Sequence, residues 1–435
     1  MMRLPGPAVC LVVFVVLALV GPSQTAAQEV DWGATLDSAT NLRSAPHRSD
    51  HEWEQLVRFA LWAELFVELR EERTVRLATE GSYRFEYDQG DDDDPLHILN
   101  LDLLRLSAGL PMLFGPGSAL ELSAGRFRFN DPTRVVWNHA GDGLSVSVGF
   151  PRWSARVSAA YTGLLLNAVS DIRMTPTDAL EEDDTDQTLG PQRIIGLAGL
   201  AFPELVQRQN LTLFGILQFD LRDPDQGEET LDTQYVGAVI DGPVEITRGL
   251  YYSVFAIKGF GTWDVEGGED ESISSGAYGA RLRLFRERLR YSRASVEWLH
   301  ASGGGSMDAF TVINDPATGF TFSPGLADLM LASAGYSLRP LSNTTTSVAA
   351  GIRTGLTVRS FLRSTTGADG VFSAPGLDTE SDARYVGSEG ELRITLRPTR
   401  ELGFAFTNGV FFPNGELFTD SDPWYRGRLE VSIGY

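Results

Sequence analysis

The chain is 435 residues long, carries a formal net charge of -22, and contains 45 glycines but one cysteine. Acidity on that scale excludes nucleic acid as a partner, because phosphate backbones are held by basic patches. The lone thiol, Cys10, excludes a disulfide framework and a cysteine-ligated metal, and nothing in the composition calls for a cofactor.

At the N-terminus Arg3 precedes an apolar run over residues 9–20, and Thr25, Ala26 and Ala27 offer small side chains for cleavage before Gln28. This pattern reads as a secretory signal peptide. The run is short for a membrane-spanning helix, which needs roughly 20 apolar residues. Residues 1–27 are therefore expected to be removed and 28–435 to form one domain. The stretch between Gln28 and Trp53 is too short for a plug or a separate periplasmic domain.

From there the chain alternates in twos, and successive side chains of a strand point to opposite faces. Strands are expected over 31–43 and 56–69. Val75, Leu77, Thr79, Tyr83, Phe85 and Tyr87 then share one face, opposite Arg76, Glu80, Arg84 and Glu86. The pattern weakens over 193–202 and 248–260, where a bulge could sit. It returns where Ala294, Val296 and Trp298 oppose Arg293 and Glu297 within 291–299. Val348, Ala350, Ile352, Leu356 and Val358 oppose Arg353 and Arg359. Leu392, Ile394 and Leu396 oppose Glu391, Arg393 and Arg397. In the last segment Tyr425, Leu429, Val431, Ile433 and Tyr435 oppose Arg426, Arg428 and Glu430. That strand, ending on an aromatic, is of the kind that closes an outer-membrane barrel.

The connectors alternate in length. Short ones are expected at 70–73, 151–153, 203–207, 286–288, 340–343 and 398–400. Long ones, rich in Asp, Glu, Gly and Pro, fall at 88–95, 167–191, 222–232, 264–272, 302–327, 364–384 and 413–423. Short turns on the periplasmic side and long loops outside are the signature of a transmembrane barrel. The predicted fold is all-β, a transmembrane antiparallel up-and-down β-barrel of about 18 strands, with 16 as the alternative.

If the apolar face meets lipid, the polar face lines the bore. The predicted lining is Arg58, Arg76, Arg84, Glu86, Arg156, Arg281, Arg283, Arg293, Glu297, Arg353, Arg359, Glu391, Arg393, Arg426 and Arg428. Guanidinium groups bind carboxylate and phosphate in a bidentate manner, so such a wall favours anionic solutes. The plainer reading is that Arg and Glu pair across neighbouring strands and leave little net field. Arg126 and Arg128 break the pattern, since they share parity with Leu120 and Leu122. Either the strand leaves the membrane at Gly125, or a bulge there turns Phe127 and Phe129 outward and both arginines inward. The bulge is the preferred expectation.

Two short motifs carry a resemblance. Asp31-Trp32-Gly33-Ala34-Thr35-Leu36-Asp37 resembles the opening of spirochaete-type outer-membrane barrels. Gly125-Arg126-Phe127-Arg128-Phe129-Asn130-Asp131-Pro132-Thr133, followed by Asp142-Gly143-Leu144, resembles a strand-loop-strand feature of alginate-export-like porins. That resemblance implies a pore within a barrel of about 16 to 18 strands, with an arginine-rich lumen conducting an acidic polysaccharide. Phe127 departs from it, standing where the family usually has Gln.

Three functions compete. A barrel of 16 strands or more leaves an aqueous channel, which favours a porin for small solutes. A barrel enzyme needs a nucleophile or activated water beside a positioned histidine, and His47, His51, His97, His139 and His300 are scattered, so no enzyme is expected. A closed barrel could instead bind a partner through its acidic loops. The expected partners are outer-membrane lipid with lipopolysaccharide-like headgroups, the barrel-assembly machinery through the strand ending at Tyr435, and small solutes. The expected location is the outer membrane.

Overall fold

The computed structural model describes residues 27–44, 52–69, 72–89, 95–178, 187–222, 229–264, 271–305, 307–344, 347–366, 370–378 and 381–435. The apolar run at 9–20 and the acidic clusters at 91–94, 181–186, 223–228 and 265–270 lie outside them, as do His47 and His51.

The strands are β1 (Ala27–Ser44), β2 (Glu52–Glu68), β3 (Thr74–Asp88), β4 (Leu96–Pro111), β5 (Ala119–Asn130) and β6 (Asn138–Phe150). They continue as β7 (Trp153–Tyr161), β8 (Arg193–Val206), β9 (Gln209–Asp220), β10 (Thr230–Pro243), β11 (Leu250–Asp264) and β12 (Glu271–Arg286). The last are β13 (Ser292–Ala301), β14 (Leu329–Leu338), β15 (Arg353–Arg363), β16 (Tyr385–Leu396), β17 (Leu402–Pro413) and β18 (Trp424–Gly434). Each pairs antiparallel with its predecessor, and β1 pairs with β18 from Thr35 opposite Gly434 to Ser44 opposite Tyr425. The 18-stranded sheet is thereby closed. Closure leaves no strand edge with unpaired N–H and C=O groups, which hydrocarbon would penalise heavily.

The outer face is the apolar one. Leu61, Leu144, Val157, Val236, Val296, Leu356 and Leu429 are all exposed on it. Aromatic pairs mark both rims: Trp32 with Tyr435 and Phe150 with Trp153 at the turn end, Trp53 with Tyr87 and Tyr278 with His300 at the loop end. Aromatic belts at two heights are what a bilayer's two interfaces select.

Local differences from the sequence pattern have physical causes. Val348 and Ala350 are not in a strand but in a helical turn, Ser347–Ala350, and β15 begins only at Arg353. There the N–H groups of Gly351 and Ile352 bond back to the carbonyls of Val348 and Ala349, at 3.1 Å each, instead of forming a ladder. β8 runs on to Val206 with a register shift between Phe202 and Val206. Pro203, which has no N–H to give, sits in that interval.

Candidate functional site: a narrowed passage inside the barrel

The interior is shaped first by the β5–β6 hairpin. Gly125 (φ +116) stands opposite Gly143. A Cβ on Gly125 would lie 2.0 Å from the Leu104 carbonyl oxygen, and one on Gly143 1.9 Å from that of Ala159. Pairing of β4 with β5 ends at Leu104 opposite Arg126, and that of β6 with β7 ends at Asp142 opposite Tyr161. The β5–β6 ladder itself continues to Asn130 opposite Asn138. Beyond the glycine pair the hairpin therefore has no neighbour on either edge and bends into the bore.

This corrects the expected bulge. The β5–β6 register is unbroken, and Phe127 and Phe129 do not face outward: they are 5% and 0% exposed, enclosed within the barrel. Phe129 stacks on Trp137 at 5.3 Å. The opposite face of the hairpin carries Arg126 and Arg128. What changes at Gly125 is the strand's neighbours rather than its phase.

The tip is set by Asp131, fully buried, whose carboxylate accepts the N–H groups of Thr133 (2.7 Å), Arg134 (2.9 Å), Val136 (3.0 Å) and Trp137 (2.8 Å). Each N–H left unsatisfied would cost about 1–3 kcal/mol. Asp131→Ala is expected to give a new protease cut between Asn130 and Trp137 and a noisier open-channel current, while the folded barrel keeps its electrophoretic mobility. An uncut tip would show that the cage is dispensable.

A second segment between β13 and β14, described over residues 302–305 and 307–328, crosses the bore. At one side the Val136 carbonyl accepts the Ile313 N–H (3.0 Å), and the Asn314 side chain accepts the Asn138 N–H (2.7 Å). At the other, Glu389 of β16, fully buried, accepts the N–H groups of Phe320, Thr321 and Phe322 at 2.9, 2.8 and 2.9 Å. Arg359 pairs with the same carboxylate at 2.6 Å, and Arg426 donates to the Phe320 carbonyl at 2.9 Å. Phe322 then stacks on Phe411 at 4.1 Å amid Phe361, Phe418 and Trp424. Burial pushes the Asp315 carboxyl above its usual range, with the Leu326 N–H working the other way.

A third segment between β7 and β8, described over residues 162–178 and 187–192, covers the β3–β5 wall. Its Ala168 carbonyl accepts from Arg84 (3.0 Å) and its Leu164 carbonyl from Arg126 (2.9 Å). Its base is pinned by a buried square of charges: Arg193 and Arg222 each bridge Asp178 and Asp220, at 2.7 to 3.1 Å.

A larger cavity of about 590 Å³ lies on the β16–β18 wall, lined by Asp37, Arg393, Arg397, Arg428 and Glu430, and two further cavities lie along the β2–β7 wall beside the hairpin. One of about 320 Å³ is lined by Arg58, Arg84, Asp102, Arg126, Arg128 and His139. Nearer the turn end lies another of about 300 Å³, lined by Arg105, Glu121, Phe127, Ser145 and Arg156. Arg128 borders both. Most arginines here are neutralised: Arg58 by Glu80 (2.5 Å) and Asp102 (2.9 Å), Arg84 by Glu86 (3.0 Å), Arg105 by Glu121 (2.7 Å), Arg126 by Asp142 (2.7 Å). Arg128 donates only to the Asn138 carbonyl and side chain, and Arg156 only to the hydroxyls of Ser145 and Ser158. Among the described residues neither has a carboxylate at ion-pair distance.

Of the other residues singled out in the sequence, Arg359 and Arg426 hold the crossing segment, and the rest stand away from this narrowing. Arg76 pairs with Glu64 (2.5 Å), Arg281 with Glu297, and Arg359 with Glu391 (2.7 Å) as well as Glu389. Arg393 and Arg428 share Glu430, Arg293 lies over the Phe285 ring, and Arg283 borders a separate cavity at the turn end of β10–β12. Arg353 begins β15. Cross-strand pairing thus accounts for much of the arginine wall. Arg126 and Arg128 are inside, as the preferred reading had them though by another route, and Arg105, which also borders the narrowing, was not among the predicted lining.

His139 lies inside, accepting the Asp171 N–H at Nε2 (3.2 Å); His97 bonds the Tyr83 hydroxyl (2.6 Å) on the outer face, where His300 stacks on Tyr278. No group of three or more His, Cys, Asp or Glu among the described residues is placed to hold a metal ion.

The fold has known counterparts. Over 94% of its length the chain is similar to a BenF-like porin from Pseudomonas fluorescens (98% of that chain, 11% identity, TM-score 0.60). It is similar over 94% to OpdQ of Pseudomonas aeruginosa (99% of that chain, 12% identity, TM-score 0.56). It is also similar over 93% to OpdF of the same organism in complex with glucuronate (98% of that chain, 13% identity, TM-score 0.55). The sequence matches no family model and no curated protein. The molecule therefore shares the fold of these porins, a closed antiparallel barrel of 18 strands. The likeness to alginate exporters gains no support from these matches: the motif behind it is the hairpin that leaves the wall.

Proposed function

We propose that this protein is an integral outer-membrane channel for small solutes, with a preference for anions. The observation that carries this reading is the pair of cavities meeting at Arg128, where two guanidinium groups, those of Arg128 and Arg156, have no carboxylate at ion-pair distance among the described residues. A cation in a confined, partly dehydrated passage acts on a passing charge far more strongly than in bulk water. The paired arginines stiffen the wall, so selectivity rests on the unpaired ones. OpdF, with the same fold, was crystallised with glucuronate, a sugar carboxylate, which is in keeping with this class of solute. Export through the signal peptide at residues 1–27, assembly guided by the strand ending at Tyr435, and contact of the acidic loops with lipopolysaccharide-like headgroups belong to the same reading.

The test is the reversal potential of single channels in a KCl gradient. Wild type should prefer chloride. Arg128→Ala should move the reversal potential toward zero by more than Arg393→Ala, whose guanidinium is already held by Glu430. A cation-preferring wild type would shift control to the acidic loops, and silence across many refolded preparations would leave a closed barrel that binds partners.

A further inference from the structure

The two rims carry opposite charge. Among the described residues of the turns at the short-connection end stand nine arginines and four glutamates; the described residues of the long connections hold twelve carboxylates and four arginines. The basic rim is also greasy. Ile246 is 95% exposed in the β10–β11 turn, and Leu289 and Tyr291 are 61% and 54% exposed in the β12–β13 turn. Water-facing turn tips have no use for such side chains, whereas an interface between headgroups and acyl chains does.

The two properties coincide over β12–β15. Arg288 and Arg290 flank Leu289, the Arg290 carbonyl accepts the Arg339 N–H at 2.9 Å, and the Arg339 guanidinium lies 5.4 Å over the Tyr291 ring. Leu341 follows, 41% exposed. None of these three arginines has a carboxylate at ion-pair distance among the described residues. Glu287 is the only described acidic residue in these two turns.

We propose that this patch binds the phosphate-bearing headgroup of an anionic phospholipid in the periplasmic leaflet. The inference rests on the membrane-channel reading above. Apolar side chains exposed at the ends of the strands suit the boundary of the acyl layer, and the arginines, long enough to reach out of that layer, meet phosphate oxygens at headgroup depth. A cationic side chain near an anionic leaflet is drawn to it, an attraction that falls off within a Debye length. Lipid continuity favours a headgroup over an acidic protein: a soluble partner would not need Ile246, Leu289 and Leu341 bare.

The experiment compares the full chain refolded into phosphatidylethanolamine vesicles with and without phosphatidylglycerol, reading the temperature at which the folded electrophoretic form is lost. Wild type should unfold a few degrees higher with phosphatidylglycerol, and added salt should narrow that gap. The R288Q/R290Q/R339Q variant should lose the gap while keeping its single-channel conductance, and the matching triple lysine variant should keep the gap. Equal stabilisation of wild type and the glutamine variant would overturn the site, as would patch-dependent binding of polyglutamate that phosphatidylglycerol cannot displace. A wild type that inserts into neither vesicle would instead overturn the membrane reading, and this proposal with it.

Discussion

Glu389→Ala is expected to raise single-channel conductance several-fold, the largest functional change any single substitution outside the arginine set should produce. The carboxylate is fully buried and is shared by three consecutive backbone N–H groups, Phe320 to Phe322, and the Arg359 guanidinium. Removing one partner of a buried ionic cluster costs about 3–5 kcal/mol, because the others are left without compensation. Arg359 can fall back on Glu391, but among the described residues the three N–H groups have no second acceptor in place. The β13–β14 segment should then lift from the far wall, leaving its other end bonded to Val136 and Asn138. Conductance and limited proteolysis within 302–328 would be measured together. If both are unchanged, the aromatic packing of Phe322 holds the segment without help from Glu389.

The second large effect concerns assembly. Gly143→Val should abolish the folded, heat-modifiable form or reduce its yield severely. A Cβ there would sit 1.9 Å from the Ala159 carbonyl oxygen, and a backbone atom in the wall cannot rotate away. Overpacking a site with some freedom to relax already costs about 1–3 kcal/mol. This site has less freedom, because it is where β6 parts from β7. Gly390→Ala in β16 is the control: an added Cβ there meets nothing within 4 Å, and the barrel should form normally. Equal yields for the two variants would mean that the hairpin can leave the wall without bare backbone at its root.

Both predictions concern contacts that alternation alone does not reveal. Period two reports which side of the sheet a residue takes, provided that the strand has a neighbour on each edge. It therefore served well from Val75 to Tyr87 and from Tyr425 to Tyr435, where the wall is continuous. It misled at Arg126 and Arg128, which share parity with the outward Leu122, because a detached hairpin has two inward faces and no outward one. It also misled at Val348 and Ala350, where apolar residues at alternate positions sit in a turn that satisfies its own backbone. The irregularity at Arg126 and Arg128 was nonetheless visible in the sequence, with Gly125 beside it as the clue.

By itself, then, the amino-acid order determined the closed wall: its strand number, its greasy exterior, its charged interior and its unequal rims. These are local or nearest-neighbour properties, set by the two-residue repeat and by turn chemistry. The narrowing was decided only by the tertiary structure. Glu389 meets Phe320 from 69 residues away, and Asn138 meets Asn314 across 176. No periodicity encodes such encounters, because they join segments far apart in the chain that meet only inside the closed barrel.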